Sequence, residues 1–297
     1  MVDTALVHGP VVERRRGESW TAGALIGPAT IFIALCLMAP LVILLRYSLN
    51  EFEPVKKMMV EAVTIANYVK FFTDPYYTTI LGTTVRIAVM VTAACLVLGF
   101  PLAYVVARTQ SRFKNLLIMA IVLPLFVGNS VRAAGWMVVF GNKGFFNSTL
   151  MGIGLIDTPI EIMFTEKAVI IGIIAVNLPF MVLSLQSVIE GIDRAVEEAA
   201  FNLGAPPLTM ARRVLFPLAM PGILAGTILT FILAMNAYAT PFLLGGPLFK
   251  MMAPVIYNEF TQKTNWPFGG AIAFILMSVT LTLTLAANLI IQRRAAR

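Results

Sequence analysis

Long apolar stretches alternate with short polar segments along the chain. Each stretch holds roughly 20 or more residues, the length that an α-helix needs to cross the hydrocarbon core of a membrane. The pattern therefore predicts an all-α integral membrane protein with six transmembrane helices. The predicted spans cover about residues 23–45, 83–107, 115–140, 168–188, 219–244 and 269–291.

The polar ends of the chain set the predicted domain limits. A tail at 1–22 precedes a six-helix transmembrane domain at 23–291, and a short tail at 292–297 follows it. The first apolar stretch has about 23 residues, whereas the apolar region of a signal peptide has roughly 7–15. We therefore expect it to be a retained helix. Between the first two spans, the aromatic-rich segment 46–79 suits a short helix lying along the membrane surface.

Charge indicates which side of the membrane each loop faces. If the amino terminus lies inside, the inner segments carry twelve basic and seven acidic residues, whereas basic and acidic residues balance in the outer loops. Positive charge is retained on the cytoplasmic side of membrane proteins. Both termini are therefore predicted to be cytoplasmic. The inner segments are then 1–22, 108–114, 189–218 and 292–297.

Composition excludes several classes of protein. Hydrophobic residues make up 59% of the chain and charged residues 12%, about half the charge of a soluble domain. Most of the net charge of +7 is accounted for by the inner segments, so no nucleic-acid partner is expected. His8 is the single histidine, which argues against histidine-based metal sites and Ser/His hydrolysis. Cys36 and Cys95 lie inside apolar runs and offer no disulfide framework.

The longest inner segment, residues 189–218, has the signals of two short helices joined by a tight turn. Asp193 can cap the first helix. Gly204 can end it in a left-handed conformation. Pro206 and Pro207 can start the second helix, and Pro217 marks the approach to the fifth span. The segment is therefore predicted to project from the membrane as a helix–turn–helix.

The order of residues in this segment resembles the EAA loop of ATP-binding-cassette importer permeases. Glu198-Ala199-Ala200 is followed by Gly204 and then by Val214-Leu215-Phe216-Pro217 at the spacing of that motif. Family members usually carry Ile at 214 and Leu at 216. The resemblance implies that this segment, named the EAA loop here (189–218), docks on a cytoplasmic ATPase, with Glu198 facing a basic partner. The expected ATPase-coupling residues are Glu197, Glu198, Ala199, Ala200, Gly204, Arg212, Arg213 and Pro217.

A closer resemblance connects most of the chain with one permease subunit of the spermidine/putrescine importers. It rests on several short motifs outside the EAA loop. These are Leu123-Pro124, Asn129-Ser130-Val131-Arg132 with Trp136, Gly144-Phe145-Phe146-Asn147, Thr240-Pro241, Leu244-Gly245-Gly246 and Asn265-Trp266-Pro267. The resemblance implies the type I ABC importer permease fold and a multi-pass location in the bacterial cytoplasmic (inner) membrane.

That family also implies partners. We expect a second, similar permease subunit, two ATP-binding cassette subunits and an extracytoplasmic solute-binding protein around this lipid-embedded chain. ATP and Mg²⁺ would be bound by the ATPase subunits, and the chain itself would need no cofactor or metal. One departure concerns the cargo. Polyamine permeases carry an acidic residue just before an aromatic-x-Thr-Pro segment, where this chain has Asn236-Ala237-Tyr238-Ala239-Thr240-Pro241. A polyamine and a neutral or anionic amino-acid-derived solute both remain open.

Polar residues within the predicted spans are candidates for a translocation path. Proline frees backbone carbonyls, which are tolerated in a membrane only where protein or a water-filled cavity surrounds them. Pro124, Pro179 and Pro241 lie beside the polar groups. Arg132 has the alternative of snorkelling to the interface, and the asparagines that of joining neighbouring helices. The path candidates are Asn129, Arg132, Trp136, Asn177, Asn236, Tyr238 and Thr240.

Other functional classes fit the sequence less well. An ion-coupled secondary transporter usually needs carboxylates within the membrane, and the predicted spans contain no Asp or Glu. An intramembrane enzyme would need an embedded Ser/His pair, two aspartates or a His-Glu-x-x-His motif. No Gly-x-x-x-x-Gly-Lys-Ser/Thr phosphate loop is present, so ATP would be hydrolysed by a partner. The sequence therefore predicts a transport subunit that is not itself an enzyme.

Overall fold

The computed structural model describes residues 17–55, 58–247 and 249–295. The chain divides after Tyr47 into two units. In the first, helix α1 (Gly17–Ser48) contains the whole predicted span 23–45 and begins inside the predicted tail. Residues 1–16 and 296–297 of the two predicted tails lie outside the described part of the chain. The side chains of α1 from Ile31 to Leu45 are largely exposed and apolar, as suits a helix surrounded by lipid.

The second unit is a bundle of helices with one short hairpin. Its long helices are α3, α7 and α14, and shorter helices connect them. The elements in chain order are β1 (Glu51–Glu53), β2 (Met58–Val60), α2 (Ala66–Thr73), α3 (Pro75–Arg108), α4 (Lys114–Val122), α5 (Asn129–Phe140), α6 (Phe145–Gly152), α7 (Glu166–Glu190), α8 (Arg194–Asn202), α9 (Pro207–Met210), α10 (Phe216–Leu218), α11 (Met220–Met235), α12 (Ala239–Leu244), α13 (Met252–Thr261) and α14 (Trp266–Ala295).

The predicted membrane-spanning helical fold is confirmed. In the described residues, four helices (α1, α3, α7 and α14) are long and apolar enough to cross a membrane singly. Two further candidates are pairs of helices bent by 98° and 74°, so the number reaches six when each bent pair counts as one span. The first bent pair covers residues 114–152 and the second residues 207–235.

The prediction of a continuous third span over 115–140 is wrong. Helix α4 gives way to a 3₁₀ turn at Leu123–Phe126, and α5 starts in a new direction at Asn129. Pro124 has no N–H to donate to a helix, and Val127 is extended. The single proline in this turn therefore directs the bend rather than merely lining a passage.

The fifth span, predicted at 219–244, is also interrupted. Helix α11 ends at Met235, and α12 begins only at Ala239. In one continuous helix, the ring of Pro241 would clash with the carbonyl of Ala237. The carbonyl of Ile232 accepts from the backbone N–H of Asn236 at 3.2 Å and also from its side-chain Nδ2 at 2.9 Å, at the end of α11.

Helices α3, α7 and α11 pack closely against one another and form the centre of the bundle. Small residues allow the approach of α11, as the Gly222 to Gly226 spacing suggests. A Cβ atom placed on Gly222 would lie 2.9 Å from the Cβ of Val188, and one on Gly226 would lie 2.7 Å from the sulfur of Met181. These two glycines therefore fix how near α11 lies to α7.

The hairpin β1–β2 is an exception to the predicted all-helical fold. Its strands pair antiparallel with Phe52 opposite Met59. A short helix is present within the segment 46–79 as α2, which is followed at once by α3. Phe71 of α2 packs on Tyr77 at 6.0 Å between ring centroids, and Tyr77 packs on Phe268 at 4.9 Å. This aromatic cluster joins α2, α3 and α14.

Buried polar side chains complete the hydrogen bonds of the irregular backbone. The Asn147 side chain donates to the carbonyls of Gly141 and Ile160 and accepts from the N–H of Ile160. The Thr84 hydroxyl accepts from the N–H of Met252 at 3.0 Å, at the start of α13. Non-helical backbone inside the bundle is thereby satisfied by protein groups, as the low dielectric requires.

Replacing Gly222 with valine should destabilise the protein. The new side chain would meet Val188 and the backbone oxygen of Ser184, which a Cβ atom would approach to 3.1 Å. We expect a loss of about 1–3 kcal/mol, the usual cost of overpacking, seen as a lower Tm of the detergent-solubilised protein. Gly82→Val is the control because no atom lies within 4 Å of a Cβ placed there. Equal Tm values for the two variants would contradict the proposed close contact.

Candidate functional site

The EAA loop folds as the predicted helix–turn–helix. Asp193 caps α8 by accepting from the N–H of Ala195 at 2.9 Å. At the other end, Gly204 has φ +79°, a left-handed conformation that favours glycine. The N–H of Gly204 donates to the carbonyl of Phe201, and the N–H of Ala205 donates to that of Ala200. This pair of bonds is a Schellman motif, which satisfies carbonyls at the end of α8.

The second half of the EAA loop leads into the bundle without a gap. Helix α9 continues into a wider π-helical turn at Ala211–Leu215 and then into α10. Arg212, Arg213 and Pro217 are exposed on this part. Leu215 is 1% exposed and anchors it to the hydrophobic core. The loop is therefore attached firmly to the start of α11.

The residues expected to contact an ATPase divide between two faces of α8. Glu198 and Ala199 are exposed. Glu197 and Ala200 are 6% and 8% exposed and face the bundle. Successive helix residues lie about 100° apart, so adjacent glutamates necessarily point in different directions. Of the two glutamates expected to couple to an ATPase, only Glu198 is therefore placed where a partner can reach it.

Glu197 is bound by two residues of α3 that the sequence analysis did not connect with it. Its Oε1 accepts from Nε and Nη2 of Arg108 at 2.8 Å and 2.5 Å, and its Oε2 accepts from the hydroxyl of Tyr104 at 3.0 Å. Tyr104 and Arg108 are four residues apart, which places both on one face of α3. The four-residue spacing of Tyr104 and Arg108 can be seen in the sequence, but it does not show that Glu197 is their common partner.

The tip of the EAA loop exposes large apolar side chains. Leu203 and Leu208, on either side of the Gly204 turn, are 88% and 81% exposed, and Phe201 is 43% exposed. Exposed apolar groups at a polar membrane-protein loop favour contact with another protein. We name Phe201, Leu203 and Leu208 the apolar tip.

Two of the path candidates form a pair on α5. Arg132 donates a hydrogen bond from Nη2 to Oδ1 of Asn129. Its Nε and Nη1 are buried and have no acceptor among the described residues. Trp136, one turn further along, stacks on Phe140 with 4.8 Å between ring centroids. Asn129, Arg132 and Trp136 thus lie along α5, which begins at the bend after α4. Two donors of the Arg132 guanidinium have no acceptor in the described part of the chain.

Two other candidates are buried between helices. Asn177 is 2% exposed, and its Nδ2 donates to the carbonyl of Thr230 on α11 at 3.5 Å. Thr240 is 6% exposed and packs on Gly172 of α7, where a Cβ atom would lie 2.6 Å from the Thr240 methyl group. Both side chains therefore hold α7 against its neighbours, which is the alternative considered for the asparagine.

The remaining candidates lie at the break after α11. Asn236 is exposed beside a groove of about 470 Å³ lined also by Ile256, Met277 and Thr280. Tyr238 packs against Phe242 and Tyr257 with ring centroids 5.4 Å and 4.7 Å away. The structure therefore brings Tyr238 into an aromatic group, whereas Asn236 faces open space.

A buried carboxylate near this aromatic group was missed by the sequence analysis. Glu259 of α13 is 2% exposed and forms an ion pair with Lys263 at 2.6 Å. It lines a small cavity of about 150 Å³ together with Phe242 and Tyr257, and with Lys250 as a second cation. The acid absent beside Tyr238 in the sequence thus has a spatial counterpart, although two lysines offset its charge.

A second ion pair joins the N-terminal half of α3 to the first residue of α7. Nη2 of Arg86 lies 2.6 Å from Oε2 of Glu166, and both side chains are partly exposed.

No cluster of three potential metal-binding His, Cys, Asp or Glu side chains occurs within the described ranges.

Comparison with known proteins gives close relatives. Residues 66–297 match the family described as binding-protein-dependent transport system inner membrane component. The chain is 38% identical over 234 residues to the spermidine/putrescine transport system permease protein PotB of Escherichia coli (strain K12), covering 79% of this chain and 83% of that protein. PotB of Haemophilus influenzae is 36% identical over 235 residues, with 78% and 82% covered.

A solved structure has the same fold. One chain in the crystal structure of a bacterial alginate ABC transporter, in complex with an alginate pentasaccharide-bound periplasmic protein, superposes with a TM-score of 0.75. The alignment covers 94% of this chain and 96% of that chain at 19% identity. The predicted importer-permease fold is thereby confirmed.

Replacing Gly204 with valine should loosen the turn of the EAA loop. The φ of +79° disfavours a β-branched residue, although open space surrounds the position. We expect limited proteolysis at the turn to become faster by about fivefold, corresponding to a strain of about 1 kcal/mol. Asparagine, which tolerates the left-handed region, should behave like glycine. Gly191→Val is the control, since Gly191 has an ordinary helical φ of −75°. Equal cleavage of all variants would argue against strain at Gly204.

Proposed function

The chain belongs to the family of binding-protein-dependent transport system inner membrane components, and on this premise we propose that it is one permease subunit of an ATP-binding-cassette importer. The observation that carries the proposal is the EAA loop. It begins directly at the end of α7 and continues directly into α11, and its apolar tip and Glu198 are exposed. A surface of this kind fits a cleft on a second protein.

The partners follow from this role. Two ATPase subunits bind ATP and Mg²⁺ and engage the EAA loop through Glu198, Ala199 and the apolar tip. A second permease subunit completes the translocation path, and an extracytoplasmic binding protein delivers the solute. In this arrangement the EAA loop and both termini face the cytoplasm, and the chain contributes no catalytic residue and no cofactor.

Coupling to ATP rather than to an ion gradient is supported by where the acids lie. Helices α3, α11 and α14 contain no Asp or Glu, and the two glutamates of α7 stand at its first and last positions. Ion-coupled transporters hold protons or cations on carboxylates within the membrane. The secondary-transporter alternative therefore lacks its usual ligands on these four helices, and the buried Glu259 of α13 is already paired with Lys263.

The cargo we propose is a polyamine or a related small organic solute. The relatives at 36–38% identity are named as spermidine/putrescine permeases, and Tyr238, Phe242 and Tyr257 form an aromatic group at the break after α11. Aromatic faces attract ammonium groups. Arg132, with two available donors, favours a neutral or anionic solute instead, and this is the second candidate.

Replacing Leu203 with aspartate should weaken ATPase binding. The carboxylate would have to be desolvated in an apolar contact, so recovery of the ATPase subunits with affinity-tagged permease should fall at least about tenfold, a loss of about 1.4 kcal/mol. Gly204→Asp, at the same turn, should act in the same direction. The matched control is Leu155→Asp, because Leu155 is 70% exposed but lies in the turn after α6. Undiminished recovery with Leu203→Asp would exclude the tip as the contact.

Uptake of labelled spermidine by cells that express the complete importer and lack other polyamine uptake tests the cargo. We expect uptake with the wild type, and with Arg132→Gln a rate no lower than that of the wild type, because spermidine is a cation and offers the guanidinium of Arg132 no hydrogen-bond acceptor. Arg112→Gln, at an exposed arginine between α3 and α4, is the control. A fall in spermidine uptake with Arg132→Gln but not with Arg112→Gln would contradict this expectation, and no spermidine uptake by the wild type would favour the second candidate.

A further inference from the structure

The carboxylate of Glu197 has all its strong contacts within its own chain. Arg108 and Tyr104 of α3 occupy both of its oxygens. The side chains of Arg108 and Glu197 are only 12% and 8% exposed. A carboxylate that is already enclosed and bonded in this way is unsuited to binding a separate ATPase, because exchange would leave the guanidinium of Arg108 buried and uncompensated.

The contact is reciprocal. Arg194, one turn before Glu197 on α8, donates from Nη2 to the carbonyl of Arg108 at 2.7 Å. That carbonyl belongs to the last turn of α3, where no helical N–H is available to satisfy it. Each helix therefore supplies a charged group to the end of the other. We name these four residues, Tyr104, Arg108, Arg194 and Glu197, the α3–α8 tie.

We propose that the α3–α8 tie transmits movement of the EAA loop into the membrane bundle, with Glu197 as a positioning residue that acts through α3. This inference rests on the proposed function. The two adjacent glutamates then have separate tasks: Glu198 contacts the ATPase, and Glu197 connects the helix that the ATPase moves with a helix of the bundle.

The shape of α3 makes it a suitable receiver. Its 34 residues extend for about 51 Å at 1.5 Å per residue, which is more than the thickness of the hydrocarbon core. It packs along both α7 and α11, and its N-terminal half is joined to the start of α7 by the Arg86–Glu166 ion pair. A displacement of α8 therefore reaches the opposite side of the bundle through one continuous helix.

The first experiment measures the tie itself. In the full chain carrying Cys36→Ser and Cys95→Ala, Ala200→Cys places a thiol on the buried face of α8, where the native side chain is 8% exposed. Adding Glu197→Gln should raise the rate of maleimide labelling about fivefold or more by opening α8 locally. Adding Glu198→Gln, at an exposed site, should leave the rate unchanged. An unchanged rate with Glu197→Gln would overturn the proposal.

The second experiment measures coupling in the complete importer reconstituted in liposomes. With Glu197→Gln, recovery of the ATPase subunits should stay within about twofold of wild type, while solute imported per ATP hydrolysed should fall about fivefold or more. The exchange Glu197→Arg with Arg108→Glu should restore part of that ratio. Glu198→Gln should instead lower ATPase recovery.

The two experiments distinguish failure of the transmission role of Glu197 from failure of the importer assignment. If Glu197→Gln lowers ATPase recovery as much as Glu198→Gln, or leaves the import ratio unchanged, the proposed transmission role is wrong while the importer assignment stands. If the wild-type chain recovers no ATPase at all, the proposed function is wrong and the transmission role falls with it, whatever the labelling rate shows about the tie.

Discussion

Every backbone N–H and C=O inside the hydrocarbon core must find a partner within the protein, and this requirement governs the architecture of the chain. Long helices meet it without help, which accounts for α3, α7 and α14. Where the backbone leaves the helical path, side chains take over. The buried Asn147 side chain makes three hydrogen bonds to the irregular backbone around it, and the buried Thr84 hydroxyl accepts from the N–H of Met252. Buried polar residues in such a bundle thus satisfy backbone hydrogen bonds, whether or not they also contact a transported solute.

This requirement changes how the polar residues of the spans are interpreted. Asn177 and Thr240 hold α7 against α11 and α12, whereas Arg132 keeps two buried donors without an acceptor in the described chain. A charged donor in this condition is costly in a low dielectric. Arg132 is therefore the path candidate with the strongest physical case, and it stands where the backbone bends most sharply.

The EAA loop combines two surfaces on one short helix. One face of α8 is fixed to the bundle by buried, charge-assisted hydrogen bonds, and the other exposes Glu198 and leads to the apolar tip. If both faces of α8 were buried against the bundle, no surface would remain for a partner to bind. If both faces were exposed, α8 would have no contact with the bundle. The same division explains why an alternation of buried and exposed positions occurs within five residues, 196–200.

Features that depend on local length and local hydrogen bonds could be predicted from the amino-acid sequence. It located the long spans, the helix–turn–helix, the Asp193 cap and the left-handed Gly204, because each is specified by neighbouring residues. Packing between distant parts of the chain set the 98° angle at the Pro124 turn, the 74° bend, the hairpin and the inward direction of Glu197. Glu197 and Arg108 are 89 positions apart, and no local pattern identifies which of several basic residues a buried carboxylate will meet. That choice depends on how α3 and α8 approach, which is settled by packing across the whole bundle.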